Sequence, residues 1–155
     1  MDDTFMLLLS EQSQVDLLKK TNAYAGRYGL CLTDADIQEL IVRRRECLTE
    51  QQRVEFGNGI LDKIIFAFCD SAYIYQDNYA ETIAELQRIF YLYKNESLNE
   101  WTDDELIRIM RDAIDRECQG SLEYLEETLL DQFARNIRAN TRRFMGRYEE
   151  DDEIF

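Results

Sequence analysis

The chain has 155 residues, the usual size of one domain, and 45% of them are hydrophobic, so it can bury a single core. Its net charge of -14 disfavours nucleic acid and anionic membrane surfaces as partners, because both are bound through clustered Lys and Arg. Histidine is absent, which excludes Ser-His-Asp and Cys-His nucleophile systems and the histidine-containing zinc and di-iron motifs.

Proline is absent as well and only six glycines occur, so the sequence favours long helices. The first residues are acidic rather than basic, and no apolar run approaches the roughly 20 residues that span a bilayer. We therefore expect a soluble, cytoplasmic protein. Its four cysteines are widely spaced and form no C-x-x-C pair, which predicts free, buried thiols at Cys31, Cys47, Cys69 and Cys118.

Two helices are predicted in the first third of the chain. Helical spacing of apolar residues follows Ser10 and Ser13, either of which can cap a first helix that ends at Gly29. Thr33 and Asp36 are spaced as a capping box, which predicts the start of a second helix.

Four further helices are predicted after a turn at 57–59, where two glycines flank an asparagine. The first of these predicted helices is 60–69, which is apolar on nearly every side, and a buried strand is the alternative there. The others are 78–95, which is clearly amphipathic, a helix from the capping residue Thr102 to Gly120, and a long helix from Ser121 to Gly146. The last helix has one apolar stripe, made of Leu122, Leu125, Leu129, Phe133, Ile137, Thr141 and Phe144.

These elements predict an all-α fold, a single compact bundle of about six helices. We assign residues 1–146 to one helical domain. Residues 147–155 form an acidic C-terminal tail that we expect to be mobile.

Two carboxylate pairs one helical turn apart are the candidate metal ligands: Asp112 with Asp115, and Glu123 with Glu126. Acids at this spacing hold magnesium in all-α nucleotide pyrophosphatases, so such a hydrolase is the alternative function. With 32 acids in the chain, roughly six such pairs are expected by chance, which favours solvated helix faces instead.

Aromatic residues on a predicted loop, Tyr73 and Tyr75, are candidates for binding a protein partner, since each offers an apolar ring and a hydroxyl. The tail adds Ile154 and Phe155, which follow five consecutive acids. Such a segment can bind an apolar pocket with a basic rim on another protein.

Two groups of arginines are also visible. Residues 43–45 are three consecutive arginines, which we interpret as a solvated helix face offset by neighbouring acids. Arg135 and Arg138 begin a second group, continued by Arg142, Arg143 and Arg147, which could contact phosphates but is followed by acids that can neutralise it.

The stretches 53–57, 78–82 and 119–125 resemble segments of a bacterial family of unknown function. The resemblance spans roughly residues 10 to 140. It implies a helical fold, and it supplies no cofactor and no catalytic residue.

From these observations we expect a non-enzymatic protein-interaction domain rather than an enzyme. Its partner would be another protein or a second copy of the chain in a homodimer, with no nucleic acid, no membrane and no cofactor.

Overall fold

The structure, a computed structural model, describes the backbone of residues 3–55 and 59–140 and the side chains of residues 11–55 and 59–140. Within these ranges it contains helices and no strand, which confirms the predicted all-α bundle. No helix in these ranges has both the length and the apolar character needed to cross a bilayer. The α-helices are α1 (Asp3–Ala25), α2 (Asp34–Glu50), α3 (Leu61–Phe68), α4 (Tyr79–Glu96), α5 (Asp103–Asp115) and α6 (Leu122–Tyr124).

The first helix begins earlier than the sequence indicated. Since α1 runs from Asp3 without a break, Ser10 and Ser13 lie inside it and the prediction that one of them caps the helix was wrong. A short 3-10 segment follows, and Gly29 then adopts a left-handed conformation at a φ of 77°. The predicted stop at Gly29 is confirmed, because this backbone conformation favours glycine.

The starts of α2 and α5 follow the predicted capping residues. The Thr33 hydroxyl accepts from the Asp36 amide at 3.1 Å, and the Asp36 carboxylate accepts from the Thr33 amide at 2.9 Å, which completes the capping box. Before α5 the Thr102 hydroxyl accepts from the Glu105 amide at 3.1 Å, but the Glu105 carboxylate binds the Thr102 hydroxyl rather than its amide. This second capping box is therefore half formed.

The short helix α3 lies at the centre of the bundle, where it packs against α1, α4 and α5. Its residues Leu61, Ile64, Ile65 and Phe68 are fully buried, as the apolar segment predicted. On one side of it, α2 packs across α4. This arrangement places residues 51–55, which follow α2, beside residues 97–102, which follow α4.

The last helix consists of α6, a π-helical turn at Leu125–Leu130 and an α-helical continuation over 131–140. The π turn holds one more residue than an α turn and so moves the buried face by one position. Its buried side chains are Leu125, Leu130 and Ala134, whereas Phe133 is 37% exposed. The predicted stripe was therefore wrong at Phe133, whereas Leu129 is partly buried and packs against the core. Its members at 141 and 144 lie outside the described residues.

Candidate functional site

The proposed metal ligands on α5 are tied to protein groups. Asp115 accepts from the Ser71 hydroxyl at 2.9 Å and pairs with Arg111 at 2.6 Å between Oδ2 and Nε. Arg111 also binds Asp70, so the side chain joins the end of α3 to α5. Asp112, one turn before Asp115, is exposed. These contacts account for Asp115 without a metal ion.

In the second carboxylate pair, too, one residue is held by an ion pair and the other is exposed. Glu126 forms a bidentate ion pair with Arg88 on α4, and this arginine lowers the pKa of the Glu126 carboxyl. Glu123 is exposed. Across residues 11–55 and 59–140, no three acidic or cysteine side chains are grouped so that they could hold a metal ion. The geometry therefore gives the metal hypothesis no support.

The two tyrosines predicted to bind a partner differ in their surroundings. Tyr75 is 59% exposed, whereas Tyr73 is 38% exposed and its ring lies against Gly120. A Cβ atom on Gly120 would lie 2.6 Å from that ring, so Tyr73 contributes to packing as well as to the surface. The other two predicted binding residues, Ile154 and Phe155, lie outside the described residues.

The arginine run at 43–45 is not a uniformly solvated face, as the sequence suggested. Arg43 and Arg45 do form ion pairs at the surface, with Glu39 and Glu11 respectively. Arg44 instead points into the bundle, where its side chain is 6% exposed. That expectation was wrong for Arg44 because the residue lies on the apolar face of α2.

The cysteines and the second arginine group differ in their exposure and in their ion pairs. Cys47, Cys69 and Cys118 are free and buried as predicted, but Cys31 is exposed. In the second arginine group, Arg135 pairs with Asp131 and Arg138 with Glu96, while positions 142, 143 and 147 lie outside the described residues. The two described arginines thus have acidic partners within the chain.

An apolar groove runs between α3 and α5, and we call it the α3–α5 groove. Phe66 lines it and is 46% exposed, although most other large residues of α3 are buried. Ala67 and Ile107 complete its apolar surface, and its volume is 440 Å³. The Phe66 ring is held edge-on against Tyr24, with 4.8 Å between the ring centroids. The groove therefore presents an exposed aromatic ring in a fixed position.

Cations surround this groove. Lys63 pairs at 3.2 Å with Asp104, whose side chain is largely exposed, and Arg111 is engaged by Asp70 and Asp115. Arg108 also lines the groove and forms no ion pair with any residue that the structure describes. The rim thus has at least one cation available to an acidic partner.

A second concave site lies where α2, α3, α4 and α5 meet, and we call it the Glu55 cavity. It has a volume of 480 Å³ and an apolar wall formed by Leu48, Ile60 and Phe90. Its polar lining includes Glu55 and Tyr91, of which Tyr91 is 3% exposed. With Arg53, Lys63 and Asp103 also in the lining, the cavity is more polar than apolar.

Glu55 is a nearly buried carboxyl of this cavity. Its side chain is 9% exposed and pairs with Arg44 at 2.7 Å. Burial raises the pKa of Glu55 and the nearby Asp103 adds to the increase, whereas Arg44 and Arg53 oppose it. Since the net direction is upward, desolvation outweighs the attraction of the two arginines.

The two connections beside the cavity are held in uncommon backbone conformations. Gln52, Leu98 and Asn99 have positive φ angles of 55°, 57° and 59°, which cost energy for residues other than glycine. The side-chain amide of Asn95 donates to the backbone carbonyl of Gln51 at 2.9 Å, and the Arg53 guanidinium donates to the side-chain oxygen of Asn99 at 3.0 Å. These bonds join the two connections and fix the position of Arg53.

Sequence reasoning overlooked Phe66, Glu55 and Tyr91. A segment that is apolar on all sides does not reveal which ring faces outward, so Phe66 had no distinguishing signal. For Glu55 a signal existed, because Arg44 shares the helical spacing of Leu40 and Leu48, and a buried arginine requires a partner.

The geometry defines a small all-α bundle with an apolar groove and a separate polar cavity. The chain belongs to the family of unknown function DUF6323, whose model matches residues 17–143. The predicted membership of a helical family without an assigned function is thereby confirmed, and the match includes both the groove and the cavity. No curated protein and no solved structure matches the chain.

Proposed function

We propose that the chain is a non-enzymatic protein-interaction domain that self-associates. In this proposal the α3–α5 groove of one copy binds residues 149–155 of a second copy. The observation that carries the proposal is the exposed ring of Phe66 in an apolar groove with cations at its rim. Exposed apolar surface with a polar rim is typical of protein interfaces.

Charge complementarity selects the occupant. The chain has a net charge of -14, yet three cations, Lys63, Arg108 and Arg111, line this groove together with one carboxylate, Asp104. Residues 149–155 are five acids followed by Ile154 and Phe155, which combine the opposite charge with two apolar anchors. An apolar side chain can pack against Phe66 while a carboxylate pairs with Arg108.

Tyr75 lies outside this groove, and we propose it as an additional exposed contact of the same domain. A magnesium-dependent hydrolase is not proposed, because Arg111 and Arg88 already engage Asp115 and Glu126.

The test is the mass of the full chain by light scattering at about 100 μM, well above a micromolar Kd. We expect the wild type to be a dimer and Phe66→Ser to be a monomer. Phe133→Ser is the matched control, because Phe133 is another half-exposed helical phenylalanine that does not line the groove. This variant should remain a dimer.

A mixing experiment identifies the occupant. The double variant Ile154→Ser, Phe155→Ser should be a monomer alone. Mixed with Phe66→Ser it should form a heterodimer, since one variant retains an intact groove and the other an intact acidic segment. A monomeric wild type, or a Phe66→Ser protein that still dimerises, would contradict the proposal.

A further inference from the structure

The Glu55 cavity contains hydrogen-bond donors that no protein group uses. Arg53 lines the cavity, and its Nη1 donates to Asn95 and Asn99. Its Nε and Nη2 atoms have no partner within residues 11–55 and 59–140. The planar guanidinium therefore offers donors that can bind a carboxylate.

Among the charged groups around the cavity, Arg53 has no ion-pair partner, although its charge does attract the Glu55 carboxyl. Glu55 already has Arg44 at 2.7 Å, and Asp103 has Lys94 at 2.9 Å. A third cation, Lys63, pairs with Asp104 at the rim. Arg53 has no carboxylate within ion-pair distance in the described ranges. The lining thus has two cations and two carboxylates, and Arg53 is the one of these four without an ion pair in the described ranges.

Tyr91 supplies a second unused polar group. Its hydroxyl is buried and has no hydrogen-bond partner among the residues that the structure describes. Buried hydroxyl groups in native proteins nearly always have a partner, so an orphan beside a cavity indicates that a bound molecule can supply one.

We propose that the Glu55 cavity binds a small organic monoanion with a carboxylate head and an apolar body. Arg53 binds the carboxylate, Tyr91 donates to one of its oxygens, and the apolar body packs against Leu48, Ile60 and Phe90. Glu55 and Asp103 restrict the ligand to a single negative charge, because they would repel a second one. The volume of 480 Å³ is that of a small-molecule site.

The test uses three probes of similar shape: phenylacetate, its neutral amide and the cation phenethylamine. Isothermal titration calorimetry measures the binding of each probe. We expect saturable binding of phenylacetate at millimolar concentration, and binding of the amide and the amine at least about tenfold weaker.

Variants identify the groups involved. Arg53→Gln should weaken phenylacetate binding by at least about tenfold. Arg53→Lys should weaken it less, because lysine keeps the positive charge but cannot bind a carboxylate through two N–H groups as the guanidinium does. Tyr91→Phe should weaken binding by a few fold without lowering the midpoint of thermal unfolding, since the hydroxyl has no protein partner to lose. Tyr79→Phe is the matched control, because the Tyr79 hydroxyl is also buried and unpartnered in the described structure but Tyr79 does not line this cavity.

Equal binding of phenylacetate and its amide would overturn the proposal, as would the absence of saturable binding at about 20 mM, far above a millimolar Kd. If Arg53→Gln failed to fold, the comparison between Tyr91→Phe and Tyr79→Phe would decide it. Equal affinities of these two variants would then refute the assignment of Tyr91 and with it the site.

Discussion

Arg44 and Glu55 form an ion pair inside the bundle, with 2.7 Å between Nε and Oε1 and side-chain exposures of 6% and 9%. The pair joins α2 to the connection that precedes α3. Since both charges are removed from water, each depends on the other for compensation. Loss of either partner would therefore leave an uncompensated charge in the wall of the Glu55 cavity and lower the stability of the fold.

Replacing the arginine alone should be costly. Arg44→Met leaves the Glu55 carboxylate buried without its cation, and we expect the free energy of unfolding to fall by about 3–5 kcal/mol. Urea denaturation at neutral pH measures the change. Arg43→Met is the matched control on the adjacent position, where the ion pairs with Glu39 and Glu81 are at the surface, and it should cost about 1 kcal/mol or less.

The double variant Arg44→Met, Glu55→Met distinguishes the cost of an unpaired buried charge from the cost of altered packing. It removes both charges, so it should recover most of the stability that the single variant loses. If the double variant were as unstable as Arg44→Met alone, or if Arg44→Met cost no more than Arg43→Met, an uncompensated charge would not be the cause.

Glu55 should also give an unusual pH dependence. Burial raises its pKa above the ordinary value of 4.5, so between the two pKa values the folded chain binds more protons at Glu55 than the unfolded chain. The stability that Glu55 contributes must then fall as the pH rises from about 4.5 through the folded pKa. Urea denaturation of the wild type and Glu55→Gln across this range should show a wild-type advantage that shrinks with increasing pH.

Glu126 provides the comparison of opposite sign. Arg88 lowers its pKa, so its contribution is complete above 4.5 and is lost as the pH falls through the folded pKa. The wild-type advantage over Glu126→Gln should therefore shrink with decreasing pH. If the Glu55 and Glu126 differences changed with pH in the same direction, the assignment of desolvation as the larger effect at Glu55 would be wrong.

Gly120 is a glycine whose substitution should destabilise the fold. It has a φ of 85°, and a Cβ atom there would lie 2.6 Å from the Tyr73 ring. We expect Gly120→Ala to lower the free energy of unfolding by about 1–3 kcal/mol, measured by urea denaturation. Gly26→Ala is the control, because a Cβ atom at Gly26 meets nothing within 4 Å, and it should be neutral or slightly stabilising. Equal effects at both positions would exclude the contact with Tyr73 as the cause.

Local signals predicted the helices well and the site poorly. The Thr33 capping box depends on two residues three positions apart, so the start of α2 could be predicted from the sequence. The burial of Arg44 depends on Glu55, which reaches it from a different segment, and the exposure of Phe66 depends on how α5 packs beside α3. Such relationships are set by tertiary packing, and periodicity along one helix does not contain them.

The π turn in the last helix leads to the final prediction. Leu125 and Leu130 are both buried although they are five residues apart, because Leu125–Leu130 holds one extra residue. Deleting the exposed Thr128 would place the two leucines four residues apart, which is the spacing of an α-helix. The deletion should therefore change the free energy of unfolding by no more than about 1 kcal/mol, as urea denaturation would show.

A deletion in regular α-helix is the matched control. Removing the exposed Asp112 from α5 would rotate the buried residues Ala113 and Ile114 away from the core, which should cost at least about 3 kcal/mol or prevent folding. The contrast follows from geometry, because one deletion restores the α-helical spacing of the core residues and the other breaks it. A Thr128 deletion as damaging as the Asp112 deletion would show that the π turn itself is required, independent of the register of Leu125 and Leu130.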